Sequence, residues 1–380
     1  MDFSLSASHT AYRETVRAFA LGTIEPVIAA LDAERRFPEE HVTPMAALGL
    51  LSIHWPKDTG GAGLDTLAYA LALEELARVS PAHAIAVSVH VSLVGVPLLQ
   101  FGTREQQTTW LPAMARGERL GAFALTETGA GSDAGAVRTS ARREGSDYVL
   151  NGEKIMVTNG GVAGVLLVVA STDPSKAGKG LSAFLVPGDA TGLTRGSRDR
   201  LMGLHPADVR TIHFENVRVP EASRVGAEGE GLNVALAGLN VGRIGVAAQA
   251  TGIAAEVTDR SIEWSRTRQQ FGQSLSNFGA IGQMLADMAI DRDVARLLTH
   301  EAALARDRGE EFAPLAARAK WTASEAAVAN ADRAIQVHGG LGYYESQGIE
   351  RFARDARVTT LYEGTSEMQK LAVARHAVTA

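Results

Sequence analysis

The stretch Leu120-Gly121-Ala122-Phe123-Ala124-Leu125-Thr126-Glu127-Thr128-Gly129-Ala130-Gly131-Ser132-Asp133 decides how the chain is read. Its first seven residues are strand-like and run straight into a loop of Gly, Ser and Thr. Backbone N–H groups and hydroxyls in such a loop can meet a phosphate or a heteroaromatic edge. Alone, the loop reads as a glycine-rich β-turn. It is not a Rossmann fingerprint, because no strand–helix–strand unit surrounds it and the GxGxxG spacing is not met in that setting. The strand instead marks a change of period within an otherwise helical chain.

Upstream of Gly117 the period is helical. Val16, Phe19, Ala20, Ile24 and Val27 form one apolar face, and residues 66–79 and 84–101 read as two further helices. Pro38 and Pro44 punctuate a helix that ends at Leu48-Gly49-Leu50, and residues 55–63 are a loop by their Pro and Gly content. Downstream of residue 120, short strand-like runs fall at 148–150, 154–158, 165–170, 181–186 and 211–219, with Asn151-Gly152 expected as a hairpin turn of the primed type. From Gly229 the helical period returns. Residues 232–266, 281–309 and 314–337 are rich in Ala, Leu, Glu and Arg, with Pro314 suited to a first helical position and Gly339-Gly340 to a cap. The expected fold is mainly α with a central β-domain: an N-terminal helical domain over residues 1–116, an antiparallel, barrel-like middle β-domain over 117–225, and a C-terminal four-helix bundle over 226–380.

The 380 residues are enough for a large core, and 46% hydrophobic with 21% charged residues is ordinary globular composition. A formal net charge of -6 makes no electrostatic case for nucleic acid or an anionic membrane. The absence of cysteine removes disulfides, thiolate nucleophiles and Cys-based metal sites and favours a reducing compartment. Residues 1–10 show no basic segment followed by an apolar one, so no signal peptide is expected, and the location expected is cytoplasmic. The most apolar run, residues 84–99, contains Ser88, His90, Ser92 and Pro97 and reads as a buried helix too short to span a membrane.

Near the C-terminus, Leu361-Tyr362-Glu363-Gly364-Thr365-Ser366-Glu367 sets one carboxylate between an aromatic residue and a glycine. Ser366 through Gln369 reads as a capping box opening a last helix, and Gly364 lets backbone come close to a ligand. Further polar interruptions are Met156-Val157-Thr158-Asn159-Gly160-Gly161, Asn240-Val241-Gly242-Arg243-Ile244, Arg268-Gln269-Gln270-Phe271-Gly272 and Gln336-Val337-His338-Gly339-Gly340-Leu341-Gly342. Taken singly they are strand ends, helix caps or a snorkelling Arg, and His90 and His338 read as packing histidines. No His and carboxylate pair has metal-ligand spacing, and no Gly-x-Ser-x-Gly elbow is present.

In this order and spacing the pieces resemble the acyl-CoA dehydrogenase family over nearly the whole chain. The resemblance implies FAD and oxidation of the bond between the α and β carbons of an acyl-CoA, in the manner of short-chain members. It implies Glu363 as the base that takes the α-proton. By the same resemblance Phe123, Leu125 and Thr126 lie against the flavin ring, Met156 beside it, and Thr158 bonds it. Ser132 reaches the pyrophosphate or the CoA pantetheine. Arg268, Gln270, Phe271, Gln336, Gly339 and Gly340 grip the adenosine diphosphate half of an FAD in a neighbouring subunit, with Thr365 and Glu367 at its adenine end. Asn240, Arg243 and Gly364 belong to the substrate side. A homotetramer formed by the C-terminal helices and reoxidation by electron-transferring flavoprotein are also implied.

Three positions depart from the family pattern. Met156 stands where Trp is usual, which bears on the electron acceptor; Thr128 replaces a common Pro, and Asn240 a common Asp. Gly242 occupies the position from which other members present a helix-borne base, which favours Glu363. The rival expectations are a biosynthetic relative acting on an acyl-carrier-protein thioester, an enzyme reoxidised by oxygen, and a non-catalytic helical scaffold.

Overall fold

The structure, a computed structural model, describes residues 4–379; Met1–Phe3 and Ala380, the outermost residues of the expected first and last domains, lie outside it. The chain opens with α1 (Ala7–Phe19) and α2 (Glu25–Glu34), joined by π-helical turns over Ala20–Ile24. That wider turn rotates the helix about its axis. The expected apolar face therefore holds at Val16, Ala20 and Ile24 but drifts off Val27, which is 37% exposed, while Ile28 and Leu31 are buried instead. After α3 (Val42–Ala47) come α4 (Thr66–Val79), α5 (Pro81–Ser88), α6 (Val96–Phe101) and α7 (Arg104–Ala115). Asp65 caps α4 by accepting the Ala68 N–H, and Asp307 accepts those of Thr66 and Leu67 from 241 and 240 residues further along the chain. This satisfies three of the otherwise orphaned N–H groups of a helix whose residues are almost all buried.

Helices α5 and α6 are joined by π-helical turns over Val89–Gly95 into one continuous rod, Pro81–Phe101. It is longer than the apolar run suggested. This rod and Gly231–Thr267 are each long and apolar enough to cross a membrane by length and composition, yet 78% and 61% of their most apolar windows are buried within the protein. The rod is a core element, with His90 stacked on Trp55 and accepting the Gly121 N–H.

The middle segment contains β1 (Leu120–Ala124), β2 (Ser140–Glu144), β3 (Asp147–Thr158), β4 (Ala163–Ser171), β5 (Leu181–Pro187), β6 (Leu193–Arg198), β7 (Val209–Pro220) and β8 (Arg224–Val225). They form one sheet in the order β6-β7-β3-β2-β4-β5-β8, with β1 added against β4. The sheet is mixed rather than wholly antiparallel, because β1 runs parallel to β4 and a single bridge joins β2 to β4 in the same sense. Asn151-Gly152 is not a hairpin turn. It lies inside the continuous strand β3, where the register slips between Leu150 and Gly152. Gly152 has φ +144°, and a Cβ there would lie 2.6 Å from Thr139 Oγ1, so glycine serves a bulge against the neighbouring segment. The hairpin turn falls at Gly145-Ser146, between β2 and β3. Strands β2 and β6 were not expected; both are largely polar and half exposed, so neither shows a hydrophobic alternation.

The remainder is helical: α8 (Gly231–Thr267), a two-stranded hairpin of β9 (Gln269–Gln270) and β10 (Gln273–Ser274), α9 (Gly279–Asp307), α10 (Ala313–His338), α11 (Ile349–Ala356) and α12 (Ser366–Thr379). Helices α8, α9 and α10 pack on one another, and α12 lies along α10. The buried face of α10 from Ala316 to Ala334 is mostly alanine, interrupted by Lys320, Ser324 and Asn330, and its small residues let the helix backbones approach closely.

Gly95 tests how tightly the rod is held. A Cβ there would lie 2.0 Å from the Trp55 ring, itself fully buried. Gly95→Ala is expected to destabilise the protein by about 1–3 kcal/mol through overpacking, read as a lowered denaturation midpoint; an unchanged midpoint would contradict the packing described.

Candidate active site

Tyr362 and Phe123 are far apart in the chain yet pack against the same apolar cluster, which includes Ile85, Val89 and Leu93 of the rod, Leu204, and Val209 at the start of β7. The strand-to-loop segment after β1 and the turn after α11 are thereby brought together. Asn159, buried at the end of β3, fixes the third side of the junction. Its Nδ2 donates to Ala86 O at 3.0 Å and to Gly121 O at 3.1 Å.

The turn that carries Glu363 is conformationally costly and heavily anchored. Glu363 has φ +53° and Gly364 φ +94°. The left-handed region is unfavourable for a glutamate and persists only where surroundings over-determine it. Upstream, the Tyr362 hydroxyl donates to Gln249 Oε1, and Gln249 Nε2 donates to Pro81 O at 2.8 Å. Downstream, Gln369 Nε2 donates to Glu363 O at 3.3 Å and Gly364 O at 3.0 Å, and Lys320 Nζ donates to Gly364 O at 2.8 Å. From α8, Arg243 Nε reaches Glu363 O at 3.4 Å while its Nη1 donates to Asn240 Oδ1 at 2.8 Å. The helix that follows is capped by Thr365, whose Oγ1 accepts the Met368 N–H at 3.3 Å, and not by the expected Ser366. Ser366 donates instead to Glu325 Oε1 at 2.6 Å.

The Glu363 side chain itself lies against bare helix backbone. A Cβ at Gly242 would fall 2.1 Å from Glu363 Oε2 and 2.9 Å from Leu93. Both carboxylate oxygens are inaccessible and make no hydrogen bond among the described residues. Burial pushes the carboxyl up to about 7, against the opposing pull of Lys320 and then Arg243. A carboxylate that is dry, unbonded and tuned to neutral pH is suited to taking a proton from a weak carbon acid.

Next to this turn the sheet presents a polar edge. The Ile155 N–H donates to Thr126 O at 2.9 Å, so Thr126 and the end of β3 share one side. Lys154, fully buried, donates to Leu125 O at 2.8 Å and to Glu127 Oε1 at 2.7 Å, and Glu127 also accepts the N–H groups of Arg138 and Thr139. The loop is thus pinned from beneath, while Ser132 is exposed and nothing approaches within 4 Å of a Cβ built on Gly129 or Gly131. Met156 has φ +57° and is 67% exposed; Thr158 is half-buried and paired with Val209. Hydroxyls at two strand ends, an open glycine loop and an unbonded carboxylate beside them fit a planar, polar ring system such as a flavin.

The structure therefore joins Glu363, Gly364, Arg243 and Asn240 through hydrogen bonds, packs Phe123 in the same apolar cluster as Tyr362, and sets Leu125, Thr126, Met156 and Thr158 on the adjoining strand ends of the sheet, with Thr365 and the exposed Glu367 continuing the Glu363 turn. It does not bring Arg268, Gln270, Phe271, Gln336, Gly339 or Gly340 to that turn within one chain. These six are exposed, Phe271 by 93%, and among the described residues no hydrogen bond or ion pair joins them to Glu363. Trp264 links the two segments that carry them: Arg268 lies over its ring at 5.9 Å, and His338, next to Gly339, stacks on it at 5.1 Å. Sequence reading missed Lys320, Gln369 and Gln249. Lys320 alone had a usable signal, since it falls on the stripe of Ala316, Ala323 and Ala327 where a solvated residue does not belong.

This helical–sheet–helical architecture, with a dry carboxylate beside a flavin-compatible edge, is matched along its length by one family. The N-terminal, middle and C-terminal domains of acyl-CoA dehydrogenase match residues 6–118, 122–217 and 229–378. The chain belongs to the acyl-CoA dehydrogenase family and is an oxidoreductase that dehydrogenates acyl-CoA with FAD as its cofactor. It is 44% identical to the mitochondrial short-chain specific acyl-CoA dehydrogenase of Homo sapiens over 372 residues, 98% of this chain and 90% of that one. Butyryl-CoA dehydrogenase from Megasphaera elsdenii superposes with a TM-score of 0.98 at 37% identity, each chain covered in full. A chain in a solved structure of the electron transferring flavoprotein of Acidaminococcus fermentans does so equally, at 0.98 and 38%, again with both chains fully covered.

Gly242→Ala forces the Glu363 carboxylate off its seat. The variant is expected to retain FAD while its bleaching by a short acyl-CoA slows by ~100-fold, the scale of a misplaced reacting group. Unchanged bleaching would show that the carboxylate does not need this position.

Proposed function

We propose that this enzyme converts a short- or branched-chain acyl-CoA to the trans-2-enoyl-CoA, with Glu363 as the base that removes the α-proton. The observation that carries the reading is the Glu363 carboxylate, buried, without a hydrogen-bond partner and raised to about 7. One Glu363 oxygen accepts the α-proton as the α C–H bond breaks. FAD, when bound, supplies the acceptor for the hydride that leaves the β-carbon, so that two hydrogens depart and one carbon–carbon double bond forms. The electron pair of the α C–H bond becomes the second bond of the alkene. Charge building on the thioester oxygen needs donors. Among the described residues the Glu363 N–H donates to no protein acceptor, and it is the natural candidate.

Thr126, Thr158, Phe123, Leu125 and Met156 would hold the ring system, and Ser132 the phosphate or pantetheine arm. Leu93, beside the Gly242 seat of the Glu363 carboxylate, shares one apolar cluster with Tyr362, Ile85, Val89 and Val246, a wall that suits a hydrocarbon tail rather than a polar one. The exposed residues at the β9–β10 hairpin and the end of α10 support a cofactor completed by a second copy. Exposed Ile290, Val294 and Leu297 on α9, spaced at i, i+4 and i+7, support a homotetramer built through the C-terminal helices. We assign electron-transferring flavoprotein as the acceptor; exposed Met156, in place of the usual tryptophan, makes the transfer rate the quantity to compare among acceptors.

The test is flavin bleaching under a panel of acyl-CoAs of graded length and branching, with carrier-protein thioesters and air reoxidation as controls. The fastest bleaching is expected with four- or five-carbon CoA esters. Glu363→Gln is expected to slow it by roughly 100-fold or more, and a variant that still bleaches at the parent rate would remove Glu363 from the mechanism. The base acts only when deprotonated. The rate is therefore expected to rise about tenfold from pH 6 to pH 8, across the value near 7 set by burial.

A further inference from the structure

Lys320 is the part of the site that no motif announces. It lies on α10 among fully buried alanines and is itself fully buried. An ammonium out of water must find compensation, yet among the described residues no ion pair closes on it and its hydrogen bond goes to a neutral acceptor, Gly364 O at 2.8 Å. That acceptor is the carbonyl immediately following Glu363. The bond bears on the one point where the chain passes from a left-handed glutamate to a left-handed glycine.

We propose that Lys320 is a positioning residue for the base: its ammonium holds the Glu363–Gly364 turn by a carbonyl and supplies the positive field that keeps the Glu363 carboxylate ionised at neutral pH. This rests on the reading of Glu363 as the base. The other charged and titratable groups facing the pair are Arg243 on α8, Glu325 on α10, Glu367 on α12, Tyr362 and, behind the rod, Tyr69 on α4. They do not replace it. Glu325 is engaged by the Ser366 hydroxyl, Glu367 is exposed to solvent, and the two tyrosines are held neutral by burial. Arg243 contacts the Glu363 carbonyl and shares its guanidinium with Asn240, whereas Lys320 has no side-chain partner. Lys320 is also the stronger of the two cations in opposing the rise that burial imposes on Glu363. Burial lowers the Lys320 amine to about 8, so between about 7 and about 8 both members of the pair are charged.

The experiment compares FAD-loaded Lys320→Met, Lys320→Gln and Lys320→Arg with the parent by rapid-mixing bleaching with butyryl-CoA, from about pH 6 to about pH 9.5. Lys320→Met removes donor and charge, Lys320→Gln keeps an N–H donor without charge, and Lys320→Arg keeps charge. In Lys320→Met and Lys320→Gln the acid limb of the rate profile is expected to move up by about one pH unit. The rate would then fall about fivefold at pH 7, approaching tenfold near pH 6, and recover in alkali, whereas Lys320→Arg keeps the parent limb. If Lys320→Met does not fold, Lys320→Gln carries the test alone. A uniform loss at every pH, with the limb unmoved, would overturn the proposal by reducing Lys320 to a packing residue. Glu363→Gln separates the two readings: bleaching retained there defeats the base itself, while bleaching lost there with an unmoved limb in Lys320→Gln defeats only the role of Lys320.

Discussion

Everything at this site follows from withdrawing one carboxylate from water without giving it a hydrogen-bond donor. The withdrawal is possible because α8 presents no side chain at Gly242, so the Glu363 carboxylate can lie on the helix backbone itself. Held in that way, the charged form loses hydration and gains nothing local in return, and the proton affinity rises. Left alone, the same effect would keep the group protonated and useless as a base. Arg243 and Lys320 restrain it through charge while their hydrogen bonds go to the backbone carbonyls of residues 363 and 364 and to the Asn240 amide, not to the carboxylate. The carboxylate oxygens thus stay free to receive a proton.

That arrangement needs a scaffold wider than one domain. The turn is tied through Gln249 to the start of the Pro81–Phe101 rod, the rod through Asn159 to β1 and β3, and the loop after β1 through Lys154 to the strand beneath it. Helical and sheet segments are each incomplete here. The rod supplies a dry wall, α8 a bare seat, α10 a buried cation, and the sheet an edge of hydroxyls and open glycines.

Much of this was legible in the sequence for reasons that are physical. Long helices declared themselves through Ala- and Leu-rich periodicity, and α4, α8, α9 and α10 fall within two residues of their expected limits. The polar strands β2 and β6 have no such signature. Asn151-Gly152 was misread because a glycine required for a bulge carries the same letters as a glycine required for a turn. The Thr365–Ser366 cap was misplaced by one residue because adjacent hydroxyls are equivalent until backbone angles are known. Glu363 was legible as a candidate because an acidic residue flanked by Tyr and Gly stands out in a resembling chain. Lys320 was not, because a lysine in a helix looks solvated unless its stripe is traced.

Charge balance gives the last constraint. With Glu363 as the proposed base, its carboxylate and the cations Arg243 and Lys320 carry a net excess of one positive charge before reaction, and a proton taken by Glu363 would raise the excess to two. Proton transfer from carbon does not leave it so, because the negative charge moves onto the thioester rather than out of the pocket. Arg243 and Lys320 grip the carbonyls of residues 363 and 364, the backbone that also carries the Glu363 N–H proposed to meet the thioester oxygen. The same two cations therefore face the charge before and after it moves. Fixed dipoles and charges that need no rearrangement during a reaction are worth more than solvent that must reorient. On this view the buried lysine and arginine keep the base ionised, and they also keep the cost of losing its charge small.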